Sequence, residues 1–256
     1  MFFAVDLDNT LIYSYKKNLS RRVCVEWKEE KELSYMTPTA HNLLKEAVRR
    51  GEIVPLTSRS VEQYRRISFF PGYQFPFALV CNGAILLRDG EIDEKWREES
   101  LRMVEPAMGE VEKARQILET DPDINFEIRL IDGLWLFTKS ENPKQTISRL
   151  QNALNGELVW IMDYKEKINV VPHSIDKGEG LRRFMEFRGD YHAVCAGDSV
   201  FDLPMLKKAK TAVIPDVAEI KKALGDHSDV VVCEGEETAF SDGVLRSILR
   251  ELDKRS

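Results

Sequence analysis

The chain has 256 residues, of which 43% are hydrophobic and 31% charged, and its 37 basic and 43 acidic residues give a net charge of −6. This length suits one large domain or two small ones with a buried core. The mild acidity argues against broad nucleic-acid binding, which needs a concentrated basic face. No apolar run approaches the roughly 20 residues that cross a bilayer, and the N-terminus lacks the basic start of a signal peptide. Four dispersed cysteines without disulfide or metal-site spacing indicate reduced thiols, so we expect a cytoplasmic protein without membrane or nucleic-acid partners.

The first part of the chain alternates short apolar strands with amphipathic helices. Strands are predicted at FFAVDL, EIVPLTS and FALVCN, separated by helices at TPTAHNLLKEAVRRG and SVEQYRRISFF, the second ending before Pro71. The first of these helices has Thr37 as its N-cap, Pro38 at its first position and Gly51 at its end. A βαβαβ order of this kind predicts a parallel sheet covered by helices.

Between about residues 85 and 170 the pattern changes. ILLRDGEIDEKW and INFEIRLIDGLWLFTKS read as hairpins with Asp-Gly turns, and ELVWIMDYKEKINVVP gives two more strands. Helices are predicted at PAMGEVEKARQILET and NPKQTISRLQNALNG, between the pairs of strands. This alternation predicts an antiparallel sheet with helices on one face, which is an α+β arrangement.

After residue 171 strands and helices alternate again, from DKGEGLRRFMEFRG to the last helix, DGVLRSILRELDKR. We therefore predict an α/β fold, a doubly wound parallel sheet, interrupted by an inserted α+β domain. The predicted core domain comprises residues 1–84 and 171–256, and the predicted insert comprises residues 85–170.

Polar side chains stand where the predicted parallel strands end, which is where open α/β sheets bind ligands. The first strand ends at Asp6, with Asp8 just after it, and the next two are followed by polar residues as well. The candidates at these strand ends and at the start of the helix after residue 175 are Asp6, Asp8, Thr57, Ser58, Arg59, Asn82, Lys177, Asp198 and Asp202.

Four carboxylates in one crevice would repel each other, because a like charge nearby disfavours ionisation. Lys177 supplies one positive charge, and a hard divalent cation would supply the rest. Mg²⁺ suits a site of two or three carboxylates with a substrate phosphate. Thr57 and Ser58 are small donors that suit phosphoryl oxygens.

These residues also form a recognisable set of motifs. FFAVDLDNTLI resembles the first motif, DxDx[TV], of the haloacid dehalogenase superfamily; PLTSRS resembles the second, Lys177 in IDKGEGL the third, and AGDSVFDLPML the fourth, GDxxxD. The position of the insert between the second and third motifs, and the NGA of LVCNGAILL, resemble the Cof-like subclass, which carries its large cap there. The resemblance implies a Rossmannoid core, an α+β cap domain, Mg²⁺ and hydrolysis of phosphate monoesters.

The resemblance also implies roles for individual residues. Asp6 would be the nucleophile that forms an aspartyl-phosphate, and Asp8 would protonate the leaving oxygen and then activate water. Asp6, the Asp8 backbone carbonyl and Asp198 would hold Mg²⁺. Thr57, Ser58 and Lys177 would bind the phosphoryl group. Asp202 would orient Lys177 or act at the metal.

The expected function is hydrolysis of a small phosphorylated metabolite, with a sugar or polyol phosphate favoured by the resemblance. Two alternatives remain open at this stage. One is a phosphotransferase or phosphomutase that uses the same aspartyl-phosphate, and the other is a non-catalytic scaffold or sensor. We expect a small phosphomonoester as the partner, and a monomer or homodimer.

Several positions keep two interpretations. Arg59 either touches substrate or caps the following helix, and Asn82 is either a turn residue before Gly83 or a substrate contact. In the insert, some polar side chains could recognise the substrate or could simply be solvated. These residues are Arg129, Lys139, Asp163, Tyr164 and Lys165.

Two features depart from the resemblance. Phe201 stands where many Cof-like members have Asn, and about twenty extra residues follow the first motif, in the segment from about Ser14 to Met36. VCVEW and ELSYM in this segment predict a hairpin, with Val23, Val25 and Trp27 on one face. We expect its apolar face to pack on the cap and to form a wall of the substrate pocket, with Arg21, Arg22 or Lys28 near the leaving group. The alternative is an edge hairpin that only extends the core.

Overall fold

The computed structural model describes residues 1–227, 229–233 and 239–254, apart from the side chains of Asp163 and Tyr164, whose predicted role lies outside this description. The chain divides into two compact units, Met1–Asp93 with Lys177–Ser256, and Glu94–Asp176. In chain order the described strands and helices are β1 Phe2–Val5, β2 Tyr13–Ser14, β3 Val23–Lys28, β4 Lys31–Met36, α1 Pro38–Arg50, β5 Ile53–Pro55, α2 Val61–Arg65, β6 Phe77–Val80, β7 Ile85–Arg88, β8 Glu91–Ile92, α3 Glu94–Val104, α4 Met108–Glu119, β9 Arg129–Ile131, β10 Trp135–Lys139, α5 Pro143–Ala153, β11 Val159–Tyr164, β12 Lys167–Pro172, α6 Lys177–Arg188, β13 Ala193–Ala196, α7 Leu203–Leu206, β14 Thr211–Pro215, α8 Ala218–Leu224, β15 Val230–Cys233 and α9 Phe240–Asp253.

A parallel sheet in the order β15-β14-β13-β1-β5 forms the centre of the first unit. The residues of β1 are buried, and their register places Val5 beside Ala196 on one side and Pro55 on the other. The carboxyl ends of β1, β5 and β13 therefore lie together. The predicted doubly wound α/β fold with an inserted α+β unit is confirmed.

Helix α1 begins and ends where the sequence predicts. Thr37 Oγ1 accepts a hydrogen bond from the Ala40 amide at 2.9 Å, Pro38 occupies the first helical position, and Gly51 follows the last. Its apolar face buries Leu44 in the same core as Phe3. A side-chain cap and an N-terminal proline fix this start because they satisfy or remove amide donors that have no partner within the helix.

The third strand leaves the parallel sheet. A parallel bridge between Leu56 and Leu79 joins β6 to the residue after β5, and β6 pairs along its length with β7 in the antiparallel order β6-β7-β8. Residues 85–93 therefore belong to the first unit, and the units separate at Asp93 and Asp176 rather than at the predicted residues 84 and 170. The physical reason is that Ile85–Leu87 are buried against β6 instead of in a separate domain.

The predicted helix over SVEQYRRISFF is mostly wrong, because α2 ends at Arg65. The next residues pair with the hairpin instead. Ile67 forms a bridge with Glu26, and the Ser68 amide donates to Val25 O at 2.8 Å. Phe69 and Phe70 then enter the core of the first unit, so tertiary pairing overrides the helical pattern of this segment.

The hairpin of the extra segment is present, but its packing corrects the prediction. β3 and β4 form an antiparallel sheet in the order β2-β4-β3. Val25 lies in the core cluster of the first unit, so the hairpin packs on that core at this residue. Register shifts on both sides of Glu26 break the alternation, so Glu26 is buried beside Val25 while Trp27 is exposed.

The second unit is an antiparallel sheet in the order β11-β12-β10-β9 with helices α4 and α5 packed on it. The predicted turn at Asp132-Gly133 is confirmed, and both residues have the positive φ that such hairpin turns require. Helix α3 was not predicted, although Trp96, Ser100 and Val104 are buried at helical spacing. Arg129 and Lys139, two of the candidate substrate contacts, lie over the Phe126 ring.

Within the part of the chain that is described, no helix combines the length and the apolar character needed to cross a membrane.

Candidate active site

Asp6 and Lys177 form the centre of the site. Asp6 follows β1, and its amide donates to Ala196 O at 2.9 Å, which holds it beside the end of β13. Lys177 Nζ donates to Asp6 Oδ1 at 2.5 Å and to Asp202 Oδ1 at 2.6 Å. All three side chains are buried. The structure therefore brings together the first, third and fourth sequence motifs.

Glycines permit the close backbone contacts that position Lys177. A Cβ on Gly180, in the first turn of α6, would overlap the backbone of Gly83. A Cβ on Gly197 would overlap the side chain of Asp202. Asn82, before Gly83, adopts φ of 57° and donates its amide to Thr57 O at 2.9 Å. The structure thus places Asn82 in the turn, in agreement with the first of its two interpretations.

Asp198 lies at the edge of this group. Thr10 Oγ1 donates to Asp198 Oδ1 at 3.4 Å. Asp202 Oδ2 accepts hydrogen bonds from the Asp198 and Ser199 amides and from Ser199 Oγ, at 2.9–3.1 Å. Asp202 therefore fixes both the loop that carries Asp198 and the ammonium group of Lys177. We call Asp6, Lys177, Asp198 and Asp202 the Lys177 cluster.

The electrostatics of the Lys177 cluster reflect an excess of negative charge. Burial raises the pKa of Asp6 to about 8. The repulsion of Asp202 adds to this rise, and the attraction of Lys177 opposes it. Burial and Asp202 likewise raise the pKa of Asp198 to about 6. Burial alone would lower the pKa of Lys177, but the attraction of Asp202 and Asp6 raises it above its usual value. Lys177 is therefore a permanent positive charge in this cluster.

The donor set fits a hard divalent cation. Asp6, Asp198 and Asp202 each offer a carboxylate oxygen, and these oxygens lie within 4.8 Å of one another. Lys177 supplies one positive charge near these three carboxylates, so a further cation would offset the repulsion that helps to raise the pKa values of Asp6 and Asp198. Oxygen ligands of this kind are those that Mg²⁺ takes in proteins.

Asp8 has a different environment from Asp6. Its side chain is 46% exposed, and both of its oxygens accept hydrogen bonds from Arg59, from Nε and Nη2, at 2.8 Å each. Arg59 Nη1 lies 2.9 Å from Glu26 Oε2. Arg66 binds the other oxygen of Glu26, at 3.2 Å from Nη2. We call Asp8, Arg59, Glu26 and Arg66 the Arg59 network.

Arg59 thus binds Asp8 and Glu26, an arrangement that neither of the two sequence interpretations described. The cap of the following helix is Ser60, whose hydroxyl accepts from the Gln63 amide at 3.2 Å. Arg59 loses charge less readily than a free guanidinium, because Asp8 and Glu26 raise its pKa against the effect of burial.

The remaining candidates lie at the end of β5. Thr57 is buried, its amide donates to Leu79 O, and its hydroxyl accepts from the Arg59 amide at 3.2 Å. Ser58 is exposed. Leu56 N donates to Val5 O, so Thr57 and Asp6 follow adjacent ends of paired strands. Phe201, which replaces the Asn of the related motif, is exposed in the turn before α7.

Sequence reasoning missed Glu26, Ser34 and Arg66. The alternating pattern assigned Glu26 to a polar face, whereas the irregular register of β3 turns it inward. Ser34 Oγ donates to Glu26 Oε2 at 2.5 Å and lies 3.3 Å from Arg59 Nη2. A negative residue placed among the apolar residues of a predicted strand was the available signal.

Comparison with known families decides what kind of protein this is. A sequence model of the family described as haloacid dehalogenase-like hydrolase matches residues 67–232. The chain belongs to the haloacid dehalogenase-like hydrolases. The matched region contains Lys177, Asp198 and Asp202, and the structure adds Asp6 from β1 to the same cluster. The resemblance deduced from the four motifs is confirmed.

Solved structures share this fold along the whole chain. The sucrose-phosphatase from Synechocystis sp. PCC6803, in complex with sucrose and phosphate, superimposes with a TM-score of 0.63 at 13% identity, covering 99% of this chain and 98% of that one. A trehalose-6-phosphate phosphatase related protein gives a TM-score of 0.56 at 17% identity, covering 99% and 100%. A haloacid dehalogenase-like hydrolase from B. subtilis gives 0.58 at 16%, covering 97% and 98%. A comparison with curated protein sequences gave no match.

Proposed function

We propose that the protein is a Mg²⁺-dependent phosphatase that hydrolyses a small phosphorylated metabolite through an aspartyl-phosphate on Asp6. The observation that carries this proposal is the contact of Lys177 with both Asp6 and Asp202 beside Asp198, in a chain of this hydrolase family. A buried carboxylate that shares one ammonium group with a second carboxylate is costly for stability alone. Its retention is explained if the cluster performs chemistry.

The first step transfers the phosphoryl group to the protein. Lys177 holds Asp6 Oδ1, so we assign the attack to Asp6 Oδ2, which forms a bond to phosphorus as the ester P–O bond breaks. Asp8, which enters this step protonated on one oxygen, donates that proton to the departing oxygen, and the alcohol leaves. Asp8 suits this role because it is more exposed than Asp6 and its carboxylate is oriented by both contacts with Arg59.

The second step returns the protein to its starting state. Asp8 accepts a proton from a water molecule, whose oxygen attacks phosphorus as the bond to Asp6 Oδ2 breaks. Inorganic phosphate leaves and Asp6 is again a carboxylate. Lys177 bears a positive charge beside Asp6 throughout, and Thr57 and Ser58 are the proposed donors to the phosphoryl oxygens at the end of β5.

Asp6 and Asp198, with the Asp8 backbone carbonyl, would hold Mg²⁺, while Asp202 remains bound to Lys177 and the 198–199 amides. When bound, the ion supplies positive charge that stabilises the oxygens of the transferring phosphoryl group.

A sugar or polyol phosphate is the favoured substrate class. Its support is that a sucrose-phosphatase and a trehalose-6-phosphate phosphatase related protein share the fold across nearly all of this chain, including the inserted unit. We propose that this unit, Glu94–Asp176, acts as the cap. A cap favours small substrates because it has to exclude water from the reaction.

Phosphate release from a panel of sugar, polyol and nucleotide-type monoesters, with p-nitrophenyl phosphate as a generic substrate, tests the proposal. We expect turnover that requires Mg²⁺ and is lost in Asp6→Asn. The matched control is Asp216→Asn, an exposed carboxylate paired with Lys221, which should retain activity. Transfer of phosphate to a sugar instead of water would indicate the phosphotransferase alternative, and absence of any turnover would indicate a non-catalytic protein.

A further inference from the structure

Glu26 is a buried carboxylate that the proposed mechanism does not use. Its side chain is only 2% exposed, and it lies on β3, in the extra segment after the first motif. Oε2 accepts from Ser34 Oγ at 2.5 Å and lies 2.9 Å from Arg59 Nη1, while Oε1 lies 3.2 Å from Arg66 Nη2. Burying a carboxylate costs several kcal/mol unless it is paired and hydrogen-bonded, so these contacts explain how Glu26 is tolerated.

The position of Glu26 is set by the backbone of β3. The register of β3 against β4 shifts on both sides of Glu26, and Glu26 forms a bridge with Ile67 on the other side of the strand. Val25 is anchored in the core, and its carbonyl accepts from the Ser68 amide. Glu26 is therefore held between β4 and the segment after α2, and its carboxylate has a fixed position.

Arg59 connects this fixed point to Asp8. Its Nη1 faces Glu26, and its Nε and Nη2 bind the two oxygens of Asp8. A guanidinium group is planar and rigid, so fixing one edge fixes the direction of the others. Ser34 contacts both Glu26 and Arg59, at 2.5 and 3.3 Å, and therefore gives Arg59 a further hydrogen-bond partner.

We propose that Glu26 is a positioning residue for the proton transfers of Asp8, acting through Arg59; this inference rests on the proposed phosphatase function. Glu26 touches neither substrate nor the reacting atoms. The extra hairpin thus has a function in catalysis that differs from the pocket wall expected from the sequence. It carries the anchor that fixes the orientation of the Asp8 carboxylate.

A positioning role of Glu26 predicts an effect on catalysis that a purely structural role does not. A poor alkoxide leaving group needs the proton that Asp8 donates as the P–O bond breaks, whereas a nitrophenolate departs readily without it. The quantity kcat/KM reports the steps up to departure of the leaving group. A misplaced Asp8 should therefore lower kcat/KM for an alkyl phosphate much more than for p-nitrophenyl phosphate, whereas general loosening of the fold should lower both equally.

Glu26→Gln keeps the size of the side chain and removes its charge. We expect kcat/KM for the best alkyl phosphate of the panel to fall by about tenfold, in the range found when residues that orient a reacting group are changed. The value for p-nitrophenyl phosphate should change by less than about twofold. The matched control is Glu62→Gln, which removes the exposed partner of the same Arg66, 3.2 Å away, and should leave both values unchanged.

A double-mutant cycle with Arg59→Lys tests the path of the effect. Because Lys lacks the planar fork of Arg, Arg59→Lys alone should show the same preference for loss on the alkyl phosphate. Adding Glu26→Gln to Arg59→Lys should lower kcat/KM little further, since the effects of two residues that act through one contact are not additive. If Glu26→Gln does not fold, Ser34→Ala, which removes the hydroxyl shared by Glu26 and Arg59, should show the same leaving-group dependence to a smaller extent.

The outcomes separate this inference from the proposed function. A wild-type protein that releases no phosphate from any monoester would remove both. An active wild type whose Glu26→Gln variant loses equal factors on both substrates, or loses nothing, would leave the phosphatase in place and overturn the role of Glu26. Additive losses in the double mutant would show that Glu26 does not act through Arg59.

Discussion

The Lys177 cluster and the Arg59 network hold the two aspartates of one DxD motif in opposite electrostatic settings. In the Lys177 cluster, one ammonium group contacts Asp6 and Asp202, and a third carboxylate, that of Asp198, lies within 4.8 Å of both. In the Arg59 network, Asp8 and Glu26 face two guanidinium groups, those of Arg59 and Arg66. The Lys177 cluster has fewer positive than negative groups, whereas the Arg59 network has two of each.

This difference supports the separate roles proposed for the two aspartates. Asp6 lies where a divalent cation is needed and where its pKa is raised by burial and by Asp202. Asp8 contacts Arg59 and is half exposed, so in the proposed mechanism a leaving group or water can reach its carboxyl group. The proposed separation of nucleophile and proton donor is thus consistent with the partners that each carboxylate has, although only one residue separates them in the chain.

The largest expected effect is that of Asp6→Asn. The amide keeps the shape of the side chain but lacks the charge that attacks phosphorus, so we expect turnover to fall by at least about 10³-fold and no phosphoenzyme to form. Phosphate release and trapping of the phosphoenzyme at low pH measure this. Near-normal activity would show that the nucleophile belongs elsewhere, and the comparison between Asp6 and Asp8 would lose its basis.

Asp198→Asn distinguishes the two groups by their need for a cation. We expect the Mg²⁺ concentration for half-maximal activity to rise by about 10–100-fold, the usual cost of disturbing a metal site. Glu26→Gln should leave this concentration unchanged, because the Arg59 network has its own positive charges. An equal shift in both variants would mean that both groups bind the same cation, which would contradict the difference in charge between them.

Gly180→Ala tests the close packing that sets the position of Lys177. The new Cβ would overlap the backbone of Gly83, so we expect a loss of about 1–3 kcal/mol in the free energy of unfolding together with reduced activity. The control is Gly109→Ala in α4, where no atom lies within 4 Å of the added Cβ and where Ala should stabilise the helix slightly. Denaturant unfolding of both variants measures the difference. A neutral Gly180→Ala would mean that Lys177 does not depend on this contact.

The Lys177 cluster could be predicted from the sequence because strand ends fix it. Asp6 and Asp198 follow neighbouring parallel strands, so any βαβ arrangement of these segments brings them together. The Arg59 network could not be predicted in this way. Glu26 faces inward only because the register of β3 is irregular, and Ile67 pairs with it only because α2 stops early.

The wrong prediction of a long helix over SVEQYRRISFF has the same origin, because Ile67 and Ser68 pair with β3, which is distant in sequence. The third strand differs, because it keeps a parallel bridge to the residue after β5 and finds its antiparallel partner, β7, in the next segment of the chain. Helix α3 is different, since the helical spacing of Trp96, Ser100 and Val104 is visible in the sequence, but the predicted hairpin takes Trp96 and leaves residues 97–104 without an assignment.

The smallest expected effect is a pH-dependent stabilisation by Mg²⁺. The pKa of Asp6 is raised to about 8 and that of Asp198 to about 6, from a usual value of 3.8. Without metal, the folded state therefore binds more protons than the unfolded state between about pH 4 and 8, and the contribution of these groups to stability falls as pH rises through that range. Cation binding needs both groups ionised, so Mg²⁺ should stabilise the protein most where the metal-free cluster is least stable.

At pH 8 and ten times its Kd, Mg²⁺ should add about 1.4 kcal/mol, which for a chain of this size corresponds to an increase in Tm of about 3–6 °C. At pH 5.5 the same concentration should give almost no shift, because protons compete for Asp6 and Asp198. Thermal unfolding with and without Mg²⁺ at the two pH values measures the difference. Asp198→Asn should reduce the shift at pH 8, whereas Glu26→Gln, which changes only the balanced network, should retain it. An equal shift at both pH values would place the cation away from the raised carboxylates and would contradict the assignment of the metal to the Lys177 cluster.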